Sequence, residues 1–191
     1  MEESMTQQDI SYQFDLPQAL IAQEPPTRRG DSRLLIVEPG LGVVGERSFR
    51  DIQDYLRPGD LLVLNQTRVL PARLQTVRTD TGGRVEILLV QPVDGGGWLA
   101  MARPSRRLRP GQQLRVQGGP WCGREPMADE GPMLEVVGKG EDGHIIIVGE
   151  PDPALVAEQW GVMPLPPYIK QELHGDAAGA QDRRDRERYQ T

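Results

Sequence analysis

The sequence predicts an α/β domain with an inserted all-β, barrel-like module. Three observations carry that expectation. Helix-spaced and strand-like segments alternate through residues 1–71. From Ala72 to Glu150, short strand-like segments follow one another between Gly- and Pro-rich breaks, with no stretch at helical period. After Pro151-Asp152-Pro153 a helical pattern returns. The expected division is therefore a discontinuous α/β domain, residues 1–71 and 151–191, around a β module at 72–150. No element that would close the sheet is visible before the C-terminus, so the α/β domain is expected to be truncated there.

In chain order, Asp15-Leu16-Pro17 opens the first element. Asp15 is placed to cap a helix, and Pro17 suits a first helical turn, where a missing N–H costs nothing. Leu34 to Val37 is a short apolar run with the length of a buried strand. Phe49, Ile52, Tyr55 and Leu56 recur at helical spacing, and Arg57-Pro58-Gly59-Asp60 stops that helix. Leu61 to Asn65 follows as an expected buried strand. In the module, Ala72–Thr79 and Arg84–Gln91 flank Asp80-Thr81-Gly82-Gly83, a hairpin signal. Trp98–Arg103, Gln113–Gln117 and Met133–Val137 come next. His144–Val148 is expected to pair with the last of these across Glu141-Asp142-Gly143. Strands this short, at this spacing, suggest a small barrel or closed sandwich. Ala154, Leu155, Val156 and Trp160 then mark a helix ended by Gly161, before a proline-rich run from Met163 to Ile169.

Composition narrows the function classes. Hydrophobic residues are 37% and charged residues 26% of 191, ordinary for a globular protein with a packed core. No run approaches the roughly 18–20 apolar residues of a membrane span. The start, MEESMTQQDI, has neither the basic nor the apolar part of a signal peptide. A cytoplasmic protein without a membrane partner is expected. The single cysteine, Cys122, allows no intrachain disulfide and no thiolate metal cage. His144 and His174 stand in unlike contexts without a helix-spaced Glu, so no metal site is expected.

The net charge of −6 disfavours a polyanionic partner on average, but the charges are unevenly spread. No acidic residue falls between Asp94 and Glu125, whereas Arg103, Arg106, Arg107, Arg109, Arg115 and Arg124 do. Screening over about 8–10 Å makes nearby charges count most, so a local basic stripe can meet phosphates. The plain alternative is that arginine replaces lysine throughout, since only Lys139 and Lys170 are lysines.

The densest chemistry lies in Asn65-Gln66-Thr67-Arg68-Val69-Leu70-Pro71-Ala72-Arg73. A strand delivering Asn65, Thr67 and Arg68 at its carboxyl end would place them where open α/β sheets carry ligand groups. Asn offers donor and acceptor, Thr a hydroxyl, and Arg a fork for a carboxylate or phosphate. The alternative is a turn in which Asn65 and Thr67 satisfy backbone groups and Arg68 is solvated. Arg28, Arg29 and Arg33 precede the first strand in what is either a binding loop or a solvated one. Arg103-Pro104-Ser105-Arg106-Arg107-Leu108-Arg109-Pro110-Gly111 suits backbone phosphates. It lacks interleaved aromatics, so it would position RNA rather than read its bases. Asp182 to Tyr189 reads as a solvated charged face, and Pro166-Pro167-Tyr168 as a packed linker.

These stretches, in this order, resemble the S-adenosylmethionine:tRNA ribosyltransferase-isomerase family. The matching text runs from Phe14-Asp-Leu-Pro through Phe49-Arg-Asp-Ile, Asn65-Gln-Thr-Arg-Val-Leu-Pro-Ala-Arg73 and Gly83-Arg-Val-Glu-Ile-Leu-Leu89. It continues with Arg103-Pro-Ser-Arg-Arg-Leu108, Leu165-Pro-Pro-Tyr-Ile-Lys170 and Arg188-Tyr-Gln-Thr191. Each piece is short; their shared order is what is specific.

The resemblance implies an enzyme acting on tRNA that carries 7-aminomethyl-7-deazaguanine at the wobble position. S-adenosylmethionine is then a ribosyl-donating substrate rather than a cofactor, and no other cofactor is expected. Its ribosyl part is transferred and rearranged to give epoxyqueuosine, with release of adenine and methionine. On that reading Asn65, Thr67, Arg68 and Arg73 bind substrate, with Arg68 on an anionic group. Arg103, Arg106, Arg107 and Arg109 contact the tRNA backbone, and no catalytic base is assigned. The family continues well past Arg-Tyr-Gln-Thr, so a missing C-terminal part is an expected partner; the chain itself is expected to be a monomer. The competing expectation is a non-catalytic RNA-binding remnant of the same fold. A methyltransferase-type site would need a Gly-rich strand-to-helix turn, which the sequence lacks.

Overall fold

The computed structural model describes residues 14–118, 131–169 and 178–190. Six of its strands form a closed barrel: β3 (Arg73–Arg78), β4 (Arg84–Pro92), β5 (Trp98–Arg103), β6 (Gln112–Val116), β7 (Met133–Lys139) and β8 (His144–Gly149). They close in the order β3-β4-β5-β8-β7-β6, every neighbour antiparallel. Alternation puts one face of each strand inside: Leu74 and Thr76, Val85 and Ile87, Leu114 and Val116, Ile145 and Ile147 are all buried. Thr76 is the polar member of that lining, and its hydroxyl donates to the Val85 carbonyl at 2.7 Å. Register shifts at Leu89/Gln91 and Val136/Gly138 bend β4 and β7, as closure of so few strands requires. The barrel and all six of its strands agree with the sequence expectation, including the β7–β8 pairing.

Because the strands alternate in direction, the β3–β4, β5–β6 and β7–β8 connections share one end of the barrel. The chain enters β3 and leaves β8 at the other end. There α1 (Pro153–Trp160) docks as the sequence pattern predicts. Asp152 caps it, its carboxylate accepting from Ala154 N at 2.8 Å and from Trp98 Nε1 at 3.2 Å. Val156 and Ala157 join the barrel's core. Gly161 ends the helix against the entering chain, where a Cβ would lie 1.9 Å from the Pro71 carbonyl oxygen. Arg73 and Val162 then exchange backbone hydrogen bonds at 3.2 and 2.9 Å, fastening the exit segment to the start of β3.

Before residue 72 the expectation is met only in part. β1 (Arg33–Glu38) forms where a strand is expected but is not buried, Leu35 and Val37 being exposed; it pairs only in a hairpin with β2 (Gly42–Ser48), which the sequence pattern does not mark. Where helices are expected, the chain makes 3-10 turns, Gln18–Leu20 and Phe49–Tyr55. A short helix is sustained by packing of its apolar face, and Phe49 and Tyr55 remain exposed. The expected strand at Leu61–Asn65 is the clearest correction: the segment forms no strand and pairs with no other among the described residues. Its apolar residues are open to solvent, Leu61 at 89% and Val63 at 82% exposure. An extended run becomes a strand only when a neighbour accepts its ladder. The described residues are thus mainly β, with the α/β character before residue 72 reduced to one hairpin and short turns. A second helix, α2 (Ala178–Arg188), returns to the entry end of the barrel. No described helix is long and apolar enough to cross a membrane.

Candidate substrate junction and nucleic-acid interface

The residues singled out in the sequence fall into two groups at opposite ends of the barrel. At the entry end, Asn65 Oδ1 accepts from the Thr67 backbone N–H at 2.9 Å and from the Thr67 hydroxyl at 2.7 Å. This is the turn alternative, with the two side chains spent on each other. The Asn65 amide N–H donors make no hydrogen bond among the described residues. Arg68 reaches Glu158 of α1 at 3.3 Å, with its side chain 68% exposed. An exposed pair of that kind is worth at most about 1 kcal/mol, so an incoming carboxylate or phosphate can displace it. Arg73 is more enclosed: Nη2 donates to the Leu165 carbonyl at 3.1 Å, and Nε lies 3.9 Å from Glu86. That Nε is buried without a hydrogen-bond acceptor. Arg73 opens onto a small cavity of about 40 Å³ lined also by Met163, Asp182 and Asp185.

Helix α2 holds this junction together, a role that the sequence pattern did not predict. Asp182 is 5% and Asp185 2% exposed, so the stretch expected to be a solvated face carries a buried acidic edge. The signal was present in the spacing: Asp182, Asp185, Arg186 and Tyr189 share one helix face. Arg186 Nε donates to Asp182 at 2.6 Å, Nη1 donates to the Glu158 carbonyl at 3.2 Å, and Nη2 donates to the Gly161 carbonyl. It thereby satisfies carbonyls at the end of α1. Burial pushes the Asp182 carboxyl above its ordinary range, opposed by the Arg186 guanidinium and the Met163 N–H. Burial and the neighbouring Asp185 likewise raise Tyr189.

Gln190 grips the candidate segment directly. Its Oε1 accepts from Val69 N at 3.0 Å and its Nε2 donates to Val69 O at 3.2 Å, the pairing a neighbouring strand would make. Arg29 donates to the Gln190 carbonyl at 3.3 Å, and Arg188 to that of Thr27. The structure thus brings the Thr27–Arg29 loop, the 65–73 segment and the Arg188–Gln190 terminus together. Tyr168 is exposed, and its carbonyl accepts from Gln23 at 3.1 Å. His174, Cys122, Arg124 and Lys170 lie outside the described residues. His144 is part-exposed at the start of β8, its Nδ1 2.8 Å from the Glu141 carbonyl.

At the far end, the β5–β6 loop has a simple construction. Leu108 is buried and plugs the barrel mouth, anchored by Leu108 N to Ser105 O at 3.0 Å. Around it Arg103, Arg106, Arg107 and Arg109 are all exposed. None of the four makes an ion pair or side-chain hydrogen bond among the described residues. Arg84 and Lys139 are exposed at the same end, while Arg78 is tied to Asp80 at 3.0 Å. Hydrogen bonds from Gln112 and Arg78 hold the exposed Asp80 carboxyl below its ordinary range. The result is a rim of uncommitted cations, separated from the junction by strands of five to nine residues. At 3.3 Å per residue that is on the order of 15–30 Å along the strands.

A family described as "Queuosine biosynthesis protein" matches residues 10–191. The S-adenosylmethionine:tRNA ribosyltransferase-isomerase of Symbiobacterium thermophilum is 39% identical over 180 residues, covering 94% of this chain and 47% of that one. The enzyme of the same name from Clostridioides difficile is 38% identical over 182 residues, with the same coverage. The chain therefore spans about half the length of the relatives it matches. Among solved structures, the S-adenosylmethionine tRNA ribosyltransferase of Thermotoga maritima is 36% identical, with a TM-score of 0.36, over 77% of this chain and 47% of that one.

Proposed function

Since the chain belongs to the queuosine biosynthesis protein family, we propose that it is the tRNA-holding part of an S-adenosylmethionine:tRNA ribosyltransferase-isomerase acting in the cytoplasm. The observation that carries this reading is the rim of exposed, unpaired arginines around buried Leu108, at the end of the barrel remote from the junction. Free guanidinium groups on a loop fixed by a buried anchor match the needs of a phosphate backbone. They fix where the tRNA lies; the base to be modified is then presented elsewhere, toward the junction.

In that arrangement Arg68 exchanges Glu158 for an anionic group of a substrate, the methionine carboxylate of S-adenosylmethionine being the natural one. The Asn65–Thr67 turn leaves the Asn65 amide donors for an orienting hydrogen bond. Arg73 shapes the floor between β3 and the exit segment. The chemistry supplied by the substrates is a sulfonium that acidifies the adjacent 5′-CH₂ and an amine-bearing base. The protein's part is to align them and exclude competing geometries. The segments before and after the barrel, 1–71 and 151–191, form one discontinuous α/β unit in this reading, and the barrel at 72–150 is inserted in it. The protein works as a monomer together with the remaining half found in its relatives.

A second reading, a non-catalytic RNA-binding remnant, is favoured by the junction side chains being spent on one another, Asn65 with Thr67 and Arg68 with Glu158. Adenine release from S-adenosylmethionine separates the two. Release by this chain that depends on tRNA bearing 7-aminomethyl-7-deazaguanine supports the enzymatic reading. A chain that binds the tRNA without release, and gains none when the remaining half of the Symbiobacterium enzyme is added, is the remnant.

A further inference from the structure

The outer surface of the barrel has two unlike walls. Around β3 and β6 outward side chains are polar and engage one another: Gln75 donates to Glu86 at 3.3 Å and Gln113 to Glu135 at 2.8 Å. Along β5 and β8 the outward positions include Leu99, Met101, His144 and Ile146. Met101 stands opposite His144, and Leu99 opposite Ile146. Side chains so placed have Cβ atoms about 4.5–5.5 Å apart and form one continuous surface. Met101 is the most exposed large apolar side chain of the six strands, at 51%. The imidazole beside it is already oriented, its Nδ1 held 2.8 Å from the Glu141 carbonyl. The chain leaving β7 carries Gly140 there, where a Cβ would lie 3.1 Å from His144 Cβ and 3.2 Å from Leu99 Cδ1. It therefore passes the ring without a side chain at that point.

This wall runs directly into the basic loop. Arg103 lies two residues beyond Met101 on the same face. Gly143, just before His144, packs against the loop, since a Cβ there would lie 3.3 Å from Ser105 Oγ. Glu86, opposite Arg103 in register, is engaged by Gln75 and lies 3.9 Å from Arg73. We propose that Met101 and His144 form a stacking platform for one unpaired nucleobase of tRNA, with the flanking phosphates on Arg103, Arg106, Arg107 and Arg109. The inference rests on the tRNA-holding role proposed above and adds the kind of nucleotide that is held. An imidazole ring and a polarisable thioether suit the face of a base. The unpaired guanidinium groups beside them suit its phosphates. An apolar protein surface laid here would bury those arginines without neutralising them, which is costly. Exposed Glu141 and Asp142 flank the other side of His144, so the RNA backbone is confined to the arginine side. The basic loop itself has no aromatic residue, so stacking depends on strands that only the closed barrel brings beside it. The stacked base is a different nucleotide from the one presented to the junction at the other end.

The test is binding of the 191-residue chain to two RNAs with equal numbers of phosphates, a hairpin with an unpaired loop and a fully paired duplex. Replacing Met101 and His144 together with Ala should weaken hairpin binding at least about fivefold, the loss of one stacked base. Duplex binding should change less than about twofold, and both salt slopes should hold, because no phosphate contact is removed. His144→Phe keeps a ring but neither charge nor hydrogen bond, and should bind the hairpin within about twofold of wild type. These variants should keep the near-ultraviolet signature of the barrel, because neither side chain belongs to its buried core. Equal losses on the two RNAs, or a Phe variant as weak as His144→Ala, overturn the proposal. So does a dimer of the wild-type chain that the double substitution dissociates. Binding that depends on the four arginines but not on Met101 or His144 removes the platform and leaves the tRNA-holding role standing. A chain that binds neither RNA removes that role and the platform with it.

Discussion

Residues 14–71 and residues 72–165 contain similar apolar runs and treat them in opposite ways. Among the described residues, the whole buried hydrophobic core lies at Ala72 or later, whereas fifteen of the twenty exposed large hydrophobics lie before it. The difference is not one of local propensity, since Leu61–Leu64 is as apolar as Ile145–Val148. The strands of the second region close on one another, so each finds its ladder and its covering face within a few dozen residues. Those of the first find one partner hairpin and no second layer. Apolar pattern specifies which residues want burial; only closure delivers it.

The comparison is broken most directly by equal truncations in the two regions. Ile87→Ala, at a fully buried site, should cost about 2–5 kcal/mol in urea unfolding. Leu62→Ala should stay within about 0.5 kcal/mol in the chain alone. Similar losses at both sites would mean that residues 14–71 have a core of their own. The two ends of the barrel are separated next. Replacing Arg103, Arg106, Arg107 and Arg109 with Gln should reduce the salt slope of tRNA binding by roughly 0.7–0.9 for each phosphate no longer neutralised. Thermal stability should hardly move, since these side chains make no folded-state pairs among the described residues. An unchanged slope removes them from the interface.

Gln190→Ala sharpens the junction side. Losing both bonds to Val69 should cost about 1–2 kcal/mol and raise exchange at the Val69 amide, leaving barrel amides as they were. Exchange that rises evenly across the barrel would make Gln190 a global rather than a local clasp. The smallest effect is at Asp182. Its carboxyl is raised in the folded protein, so the folded state binds that proton more tightly than the unfolded state does. The stability this group contributes is therefore fully present below about pH 4 and is lost as pH rises through the raised value. Thermal melts should show the wild type losing ground to Asp182→Asn as pH rises above about 4. The opposite trend would mean that the Arg186 ion pair outweighs burial.

Much of the fold was legible because the barrel is built from local signals. Asp80–Gly83 and Glu141–Gly143 mark hairpins whose strands follow directly, and Pro151–Pro153 with Gly161 brackets α1. The far-end arginines were legible as a site for a related reason: they fall in one loop, and a loop's charges need no folding to be neighbours. The junction was harder. Its members come from residues 27–29, 65–73, 158–165 and 182–190, and no spacing rule links them. Asn65 and Thr67 proved to satisfy each other, and Arg68 to pair with Glu158. The charged run from Asp182 onward turns inward because its own Arg186 pairs with Asp182 and reaches two carbonyls at the end of α1.

By itself the sequence determined the six barrel strands, their turns, the basic loop and the family. Each of these depends on residues close together in the chain or on an ordered set of short matches. Tertiary structure alone decided which apolar runs are buried, that α2 closes the junction through Asp182 and Arg186 with Gln190 just beyond it, and that the two candidate sites lie at opposite ends of one barrel. Burial and long-range pairing depend on whether a partner surface is present, and a strand carries no record of its neighbour in its own residues.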